Sequence, residues 1–148
     1  MRFLFLVCLL VVATPLLQAQ TTPEPSDGFS IVAWNIEGAG SEIATITKQL
    51  GDLQPYEIFA LSEVPQAAES ELASELASKW GTASSVIGST GGDARLLIAW
   101  DGSRFDKLAV EELKQIGGKE FAPGVQTAPL VAHLRHKPTG QEFKVIMN

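Results

Sequence analysis

Cysteine is nearly absent: the 148 residues include a single one, Cys8. No disulfide can close within the chain, and no cluster of thiolates can hold zinc. Positive charge is scarce as well. Lys and Arg number 11 against 17 Asp and Glu, for a formal net charge of −6. That balance lacks the broad basic footprint on which sequence-independent duplex binding relies. Long apolar runs are missing too, the greasiest stretch being Phe3 to Ala13, well short of the roughly 20 residues a membrane-spanning helix needs. There is no internal repeat and no low-complexity tract. What remains is an ordinary globular composition, 45% hydrophobic with 13 Gly and 8 Pro. It can bury a core, it excludes disordered and fibrous classes, and its length fits one domain.

Residues 1–20 read MRFLFLVCLLVVATPLLQAQ. Arg2, an apolar centre and a polar exit are the three parts of a secretory signal peptide. Pro15 interrupts any continuation toward a membrane anchor, and Cys8 follows Val7 rather than a small residue, which argues against lipid attachment. The expected organisation is a signal peptide over 1–19 with cleavage near Ala19, a flexible lead-in over 20–28, and a folded unit over 29–148. The product is expected to be secreted or periplasmic, without a stable membrane anchor. Cleavage would remove Arg2 and Cys8, taking the charge from −6 to −7.

Within the folded unit, FSIVAWNI (Phe29 to Ile36) predicts a first strand between Gly28 and Gly38. Ser41 opens a helical stretch in which Ile43, Ile46, Leu50 and Leu53 make one apolar stripe, ended by Pro55. A strand over Tyr56 to Leu61 follows, with Ser62-Glu63 at its exit, then a helix from Gln66 to Trp80. Further strands are expected at 83–87, 95–100, weakly at 108–116, and in a hairpin over 127–134 and 141–147 whose turn is Lys137-Pro138-Thr139-Gly140. Strand-helix alternation followed by hairpins predicts an α/β fold, a mixed β-sheet with helices packed on one face. The final apolar strand runs to Met147-Asn148 without a capping turn, and the expectation is that the domain is cut short.

Two polar residues stand at strand exits, Asn35 and Glu63. Ligands of open α/β sheets gather beyond the carboxyl ends of parallel strands. If these two strands are parallel neighbours, an amide oxygen and a carboxylate converge there, hard donors suited to Mg²⁺. The plainer alternative makes Asn35 a turn residue and Glu63 a solvated loop residue. His133 and His136 lie three apart on a strand and so point to opposite faces, a poor metal pair. Gly88-Ser89-Thr90-Gly91-Gly92 lacks the Lys-Ser/Thr ending of a nucleotide-binding loop and reads as a turn. Arg95 and Asp93, just after it, are candidates for phosphate contact and for orienting a histidine, with a surface ion pair as the alternative. Trp34, Trp80 and Trp100 are expected in the core or at its rim.

The wording of the motifs goes further. Trp34-Asn35-Ile36, Leu61-Ser62-Glu63-Val64, GGDARLLIAWD and PLVAHLRHKPTGQEFKVIMN occur in the order found in the endonuclease/exonuclease/phosphatase family, the deoxyribonuclease I-like superfamily. The chain resembles the N-terminal half of that family over residues 29–148, with Ser62 where the family more often has Gln. The resemblance implies half of a four-layer α/β/β/α sandwich and metal-dependent phosphoester hydrolysis with Mg²⁺ (or Mn²⁺). It makes Glu63 the metal carboxylate and gives Asn35 a share in holding metal or phosphate; the substrate contact suggested for Arg95 is a reading of its place after the turn, beside the ion-pair alternative.

The family's acid-base His and Asp, and its Asp-x-Asn element, come from later segments and cannot be placed in this sequence. The expectation is therefore a metal-side half-site, inactive by itself. The partner implied is a phosphate-ester substrate; nucleic acid is among the candidates, though the charge does not favour it. Two rival readings stand beside this one: a non-catalytic exported binding module on the same scaffold, and a truncated product without function. The sequence leaves the oligomeric state open.

Overall fold

The computed structural model describes residues 28–38, 40, 42–116, 119–120 and 127–148. The signal-peptide reading, most of the lead-in and Ser41 lie outside the described residues, and no described helix is long and apolar enough to cross a membrane. The chain runs β1 (Ile31–Asn35), α1 (Ile43–Asp52), β2 (Ile58–Val64), α2 (Glu69–Trp80), β3 (Ala83–Ile87), β4 (Arg95–Asp101), β5 (Phe105–Glu112), β6 (Gln115–Ile116), β7 (Lys119–Glu120), β8 (Leu130–His136) and β9 (Glu142–Met147). A mixed sheet has the order β1-β2-β4-β3, parallel only between β1 and β2. The second sheet, β5-β8-β9, is antiparallel throughout, and β6 and β7 pair with each other.

Alternation along β2 and β4 explains the layering. Phe59, Leu61, Leu97 and Ala99 face Ile46 and Leu50 of α1 and Leu72 and Leu76 of α2. The intervening Ile58, Leu96, Ile98 and Trp100 face Leu130, Ala132, Leu134 and Val145 of the second sheet. Both faces of these central strands are dry, which is why IFAL and LLIAW are apolar without a break. The layers are α/β/β, consistent with the expected sandwich; among the described residues no helix covers the outer face of the second sheet. The stripe on α1 performs as its spacing predicts, Ile46 and Leu50 being buried. Two orphan carbonyls near the end of α1, those of Gly51 and Leu53, accept from Lys79 Nζ of α2 at 3.0 and 2.8 Å.

Several boundaries differ from those predicted. The helix expected from Gln66 begins with a short 3₁₀ turn, Gln66–Ala68, after the extended Pro65. The weak strand expected at 108–116 is the eight-residue β5, starting at Phe105. Its sequence, FDKLAVEE, hides this because β5 is an edge strand anchored mainly by the buried Phe105. β8 starts at Leu130 rather than Thr127. Thr127 Oγ1 instead donates to the Ala94 carbonyl at 2.8 Å, and Ala128 N donates to Thr90 Oγ1 at 2.8 Å. β2 extends beyond Leu61 to Val64, so Glu63 lies inside the strand rather than after it.

At the amino ends of β1 and β2 the two sheets are joined by a polar cluster. Glu57 accepts from Ser30 N at 2.8 Å, from Ser30 Oγ, and from Arg104 Nη1 at 2.6 Å. Arg104 Nη2 lies 3.1 Å from Nε2 of the buried His136, whose Nδ1 lies 3.0 Å from Thr139 Oγ1. Arginine has no acceptor, so Nε2 accepts and Nδ1 carries the hydrogen. Phe29 stacks on Phe143 with centroids 4.5 Å apart and meets the edge of Phe105 at 5.3 Å.

Candidate active site

Asn35 and Glu63 meet at the carboxyl ends of the parallel pair. The β1–β2 register places Asn35 beside Ser62, and Asn35 Nδ2 donates to Glu63 Oε1 at 2.8 Å. Asn35 Oδ1 accepts from Glu37 N at 2.9 Å, which fixes the orientation of the amide. A second lone pair on that oxygen remains available to a ligand. Helix α1 supplies the crossover between the two strands, so the convergence expected from the sequence is what the chain forms.

A regular strand would not aim Glu63 this way. Leu61 faces the helices, and strict alternation would send Glu63 to the same side. Instead the β2–β4 register shifts between Leu61 and Val64, and Glu63 takes φ 58°. Val64 then returns to the helix-side core. Such a bulge re-aims one side chain and interrupts the ladder locally. A left-handed conformation at a non-glycine residue costs on the order of 1–3 kcal/mol and tends to persist at functional sites. Glu37, at φ 49°, is the other such residue among those described.

Two open clefts flank Asn35. One, of about 460 Å³, runs past Trp34, Glu37, Glu42 and Thr45. The other, of about 410 Å³, lies between the sheets and includes Ser62, Met147 and Asn148. No group of three His, Cys, Asp or Glu side chains poised to hold a metal occurs among the described residues. The donor set at this point is one carboxylate and one amide oxygen. It suits a hard cation that keeps most of its waters, as Mg²⁺ does, and does not suit one that demands a protein cage.

Arg95 reaches the same end of the sheet, paired in register with Val64. Its guanidinium is engaged elsewhere: Nε donates to Gly92 O at 3.1 Å, Nη2 to Gln66 Oε1 at 2.9 Å, and Nη1 lies 3.9 Å from Glu69 Oε2. This braces the 88–93 turn against the start of α2, close to the ion-pair alternative. His133 and His136 face opposite sides, as their spacing predicts: His133 lies 3.4 Å from Glu142 on the outside, and His136 is buried. Trp100 is in the core, and Trp34 and Trp80 pack at its rim.

Sequence reasoning missed Glu112. It accepts from Ser89 N and Thr90 N at 2.9 Å each and from both hydroxyls at 2.7 Å, and so anchors the glycine-rich turn. Nothing local marks it, because its partners lie 22 and 23 residues away. It also missed Gly38, whose N–H donates to the Glu63 carbonyl at 3.0 Å.

This architecture is shared with solved structures. D. rerio TDP2, solved with a single-strand DNA product, superposes with a TM-score of 0.59 at 19% identity, over 80% of this chain and 44% of that one. The endonuclease/exonuclease/phosphatase from Bacteroides vulgatus gives 0.56 at 11% identity, over 80% and 51%. The chain has the endonuclease/exonuclease/phosphatase fold. A mannosyl-6-phosphatase from Bacteroides thetaiotaomicron gives 0.51 at 14% identity, over 80% and 50%. The chain thus spans about half the length of these relatives in fold. No family model and no curated protein sequence matches it. Among the similar structures, ANGEL2 is named a 2',3'-cyclic phosphatase and the Bacteroides thetaiotaomicron protein a mannosyl-6-phosphatase.

Proposed function

We propose that the chain belongs to the endonuclease/exonuclease/phosphatase family and carries the cation-holding part of a phosphoesterase site. The observation that carries this reading is the 2.8 Å contact of Asn35 with Glu63 at the end of the parallel pair, made through a strained, re-aimed carboxylate. Glu63 would hold Mg²⁺ or Mn²⁺, with the Asn35 amide orienting the carboxylate and lending its oxygen. When bound, such a cation supplies Lewis-acid stabilisation of charge developing on a phosphoryl oxygen. Asn35 keeps one Glu63 oxygen directed, and Glu37 N–H keeps the amide from turning over. Among the described residues no histidine lines this site, His133 and His136 being engaged elsewhere. The 148 residues alone are therefore expected to bind the cation without turning over substrate.

Charge narrows the substrate class within phosphate esters without choosing one. At −6 the chain lacks the broad basic surface that suits long nucleic acid, which leaves nucleotides, sugar phosphates and head-group esters equally live beside it. Export is part of the same proposal and rests on the composition of residues 1–19. The test is calorimetric titration of the 148-residue chain with Mn²⁺. The wild type should bind one ion, and Glu63→Gln should lose at least tenfold in affinity while keeping its far-UV circular dichroism. Equal affinity in both proteins would remove Glu63 from the role given to it.

A further inference from the structure

The turn that follows β1 crosses over the exit of β2. Ile36 N donates to Ser62 O at 3.1 Å, continuing the parallel ladder. The next ladder bond should join residue 38 to the carbonyl of residue 64. Instead Gly38 N donates to Glu63 O at 3.0 Å, one residue early. The ladder slips where Glu63 is left-handed, and the slip brings the Glu63 carbonyl and the Pro65 ring against the bare Cα of Gly38. A Cβ built on Gly38 would lie inside van der Waals contact of the Glu63 carbonyl oxygen and of Pro65 Cδ and Cγ. The φ of Gly38 is not left-handed, so what this position requires is space.

We propose that Gly38 is a positioning residue for the Glu63 carboxylate. By admitting the displaced carbonyl, Gly38 lets Glu63 hold the conformation that turns its side chain onto Asn35. Gly38 acts through the backbone of Glu63, whose carbonyl accepts from its N–H. The importance of that carboxylate rests on the function proposed above, whereas the positioning itself does not. A side chain at 38 has two ways out: it pushes the Glu63 carbonyl back into the regular ladder, swinging the carboxylate toward the helix side, or it lifts the whole turn off β2. Either movement separates Asn35 from Glu63. Gly40, in the same turn, makes the matched control: a Cβ there meets only Glu37 O, at an ordinary 3.8 Å.

The experiment is nuclear magnetic resonance on the isotope-labelled 148-residue chain, comparing wild type, Gly38→Ala and Gly40→Ala. A strong intraresidue amide-to-Hα Overhauser effect at Glu63 reports its positive φ, and the shifts of the Asn35 side-chain amide report its bond to Glu63. Gly38→Ala should lose the Glu63 signature and move the Asn35 amide to free-amide shifts, with core resonances in place. Gly40→Ala should keep both signals. If Gly38→Ala does not fold, the double variant Gly38→Ala/Pro65→Ala removes the ring contacts and leaves only the contact with the Glu63 carbonyl; it should fold and still lose both signals. Retention of both signals in either variant overturns the proposal. Mn²⁺ titration of the same samples separates the two readings. Wild type that fails to bind Mn²⁺ removes the functional reading, while the Glu63 and Asn35 signals still decide the positioning. If wild type binds, Gly38→Ala should weaken the affinity by about tenfold or more; unchanged affinity overturns the role of Gly38.

Discussion

Replacing Glu112 by Gln should destabilise the protein in a way that fades in acid. The carboxylate accepts four hydrogen bonds from Ser89 and Thr90 and lies 3.5 Å from Lys114 Nζ. Burial pushes its pKa up, but the Ser89 and Thr90 hydroxyls, the Thr90 N–H and Lys114 outweigh burial and lower it from 4.5 to about 2. Taken in full, that drop corresponds to ~3.4 kcal/mol at neutral pH. The turn lies at the surface, where water screens part of the effect, and the expected loss on substitution is about 2 kcal/mol. Because the folded pKa is below the unfolded one, the stabilisation is complete above pH 4.5 and disappears as pH falls through about 2. By pH 3 less than half, roughly 40%, should remain. Urea unfolding followed by tryptophan fluorescence, at pH 7 and at pH 3, measures both values. An equal loss at the two pH values would refute the electrostatic account, as would a loss below about 0.5 kcal/mol at pH 7, within the range of an ordinary surface substitution.

Two further outcomes follow from the same physical chemistry. Burial pushes the Glu57 pKa up, but hydrogen bonds from Ser30 and from its own N–H, with Arg104 beside it, bring the group below its usual value. Its stabilisation is therefore present above pH 4.5 and lost as pH falls below it. Glu57→Gln should cost about 1.5–3 kcal/mol at pH 7, as for hydrogen bonds to a charged group, with the gap to wild type narrowing in urea melts at pH 3. Leu72→Ala empties a fully buried site between α2 and the mixed sheet and should cost about 2–5 kcal/mol at any pH, read from the urea midpoint.

What the sequence made legible was local or periodic. The stripe Ile43, Ile46, Leu50, Leu53 and the apolar run IFAL each declare their burial, and the 41–54 crossover brings Asn35 and Glu63 to one place. What it hid depends on partners far along the chain. β5 is polar on its surface and becomes a strand through pairing with β8, from Phe105 against His136 to Glu112 against Leu130. Glu112 and Glu57 look like ordinary surface acids until Ser89, Thr90, Ser30 and Arg104 arrive. The bulge at Glu63 and the space at Gly38 arise from a one-residue slip between two strands, which no composition or spacing within either strand encodes. The convergence of Asn35 and Glu63 was thus readable, and the device that aims Glu63 was not.

The Glu57–Arg104–His136 cluster has a mechanical meaning. It fastens the amino ends of β1 and β2 to the far end of β8, so the two sheets are riveted together at the edge remote from Asn35 and Glu63. A second fastening stands at the opposite end, where Glu112 of β5 holds Ser89 and Thr90 and Thr127, just before β8, holds the Ala94 carbonyl. The cleft between Ser62 and Met147 lies beside neither fastening, along β1 and β9. The lips of this cleft are therefore joined by no side-chain hydrogen bond among the described residues, and Arg104→Ala, which cuts one fastening, should loosen the sandwich without touching a residue that lines them.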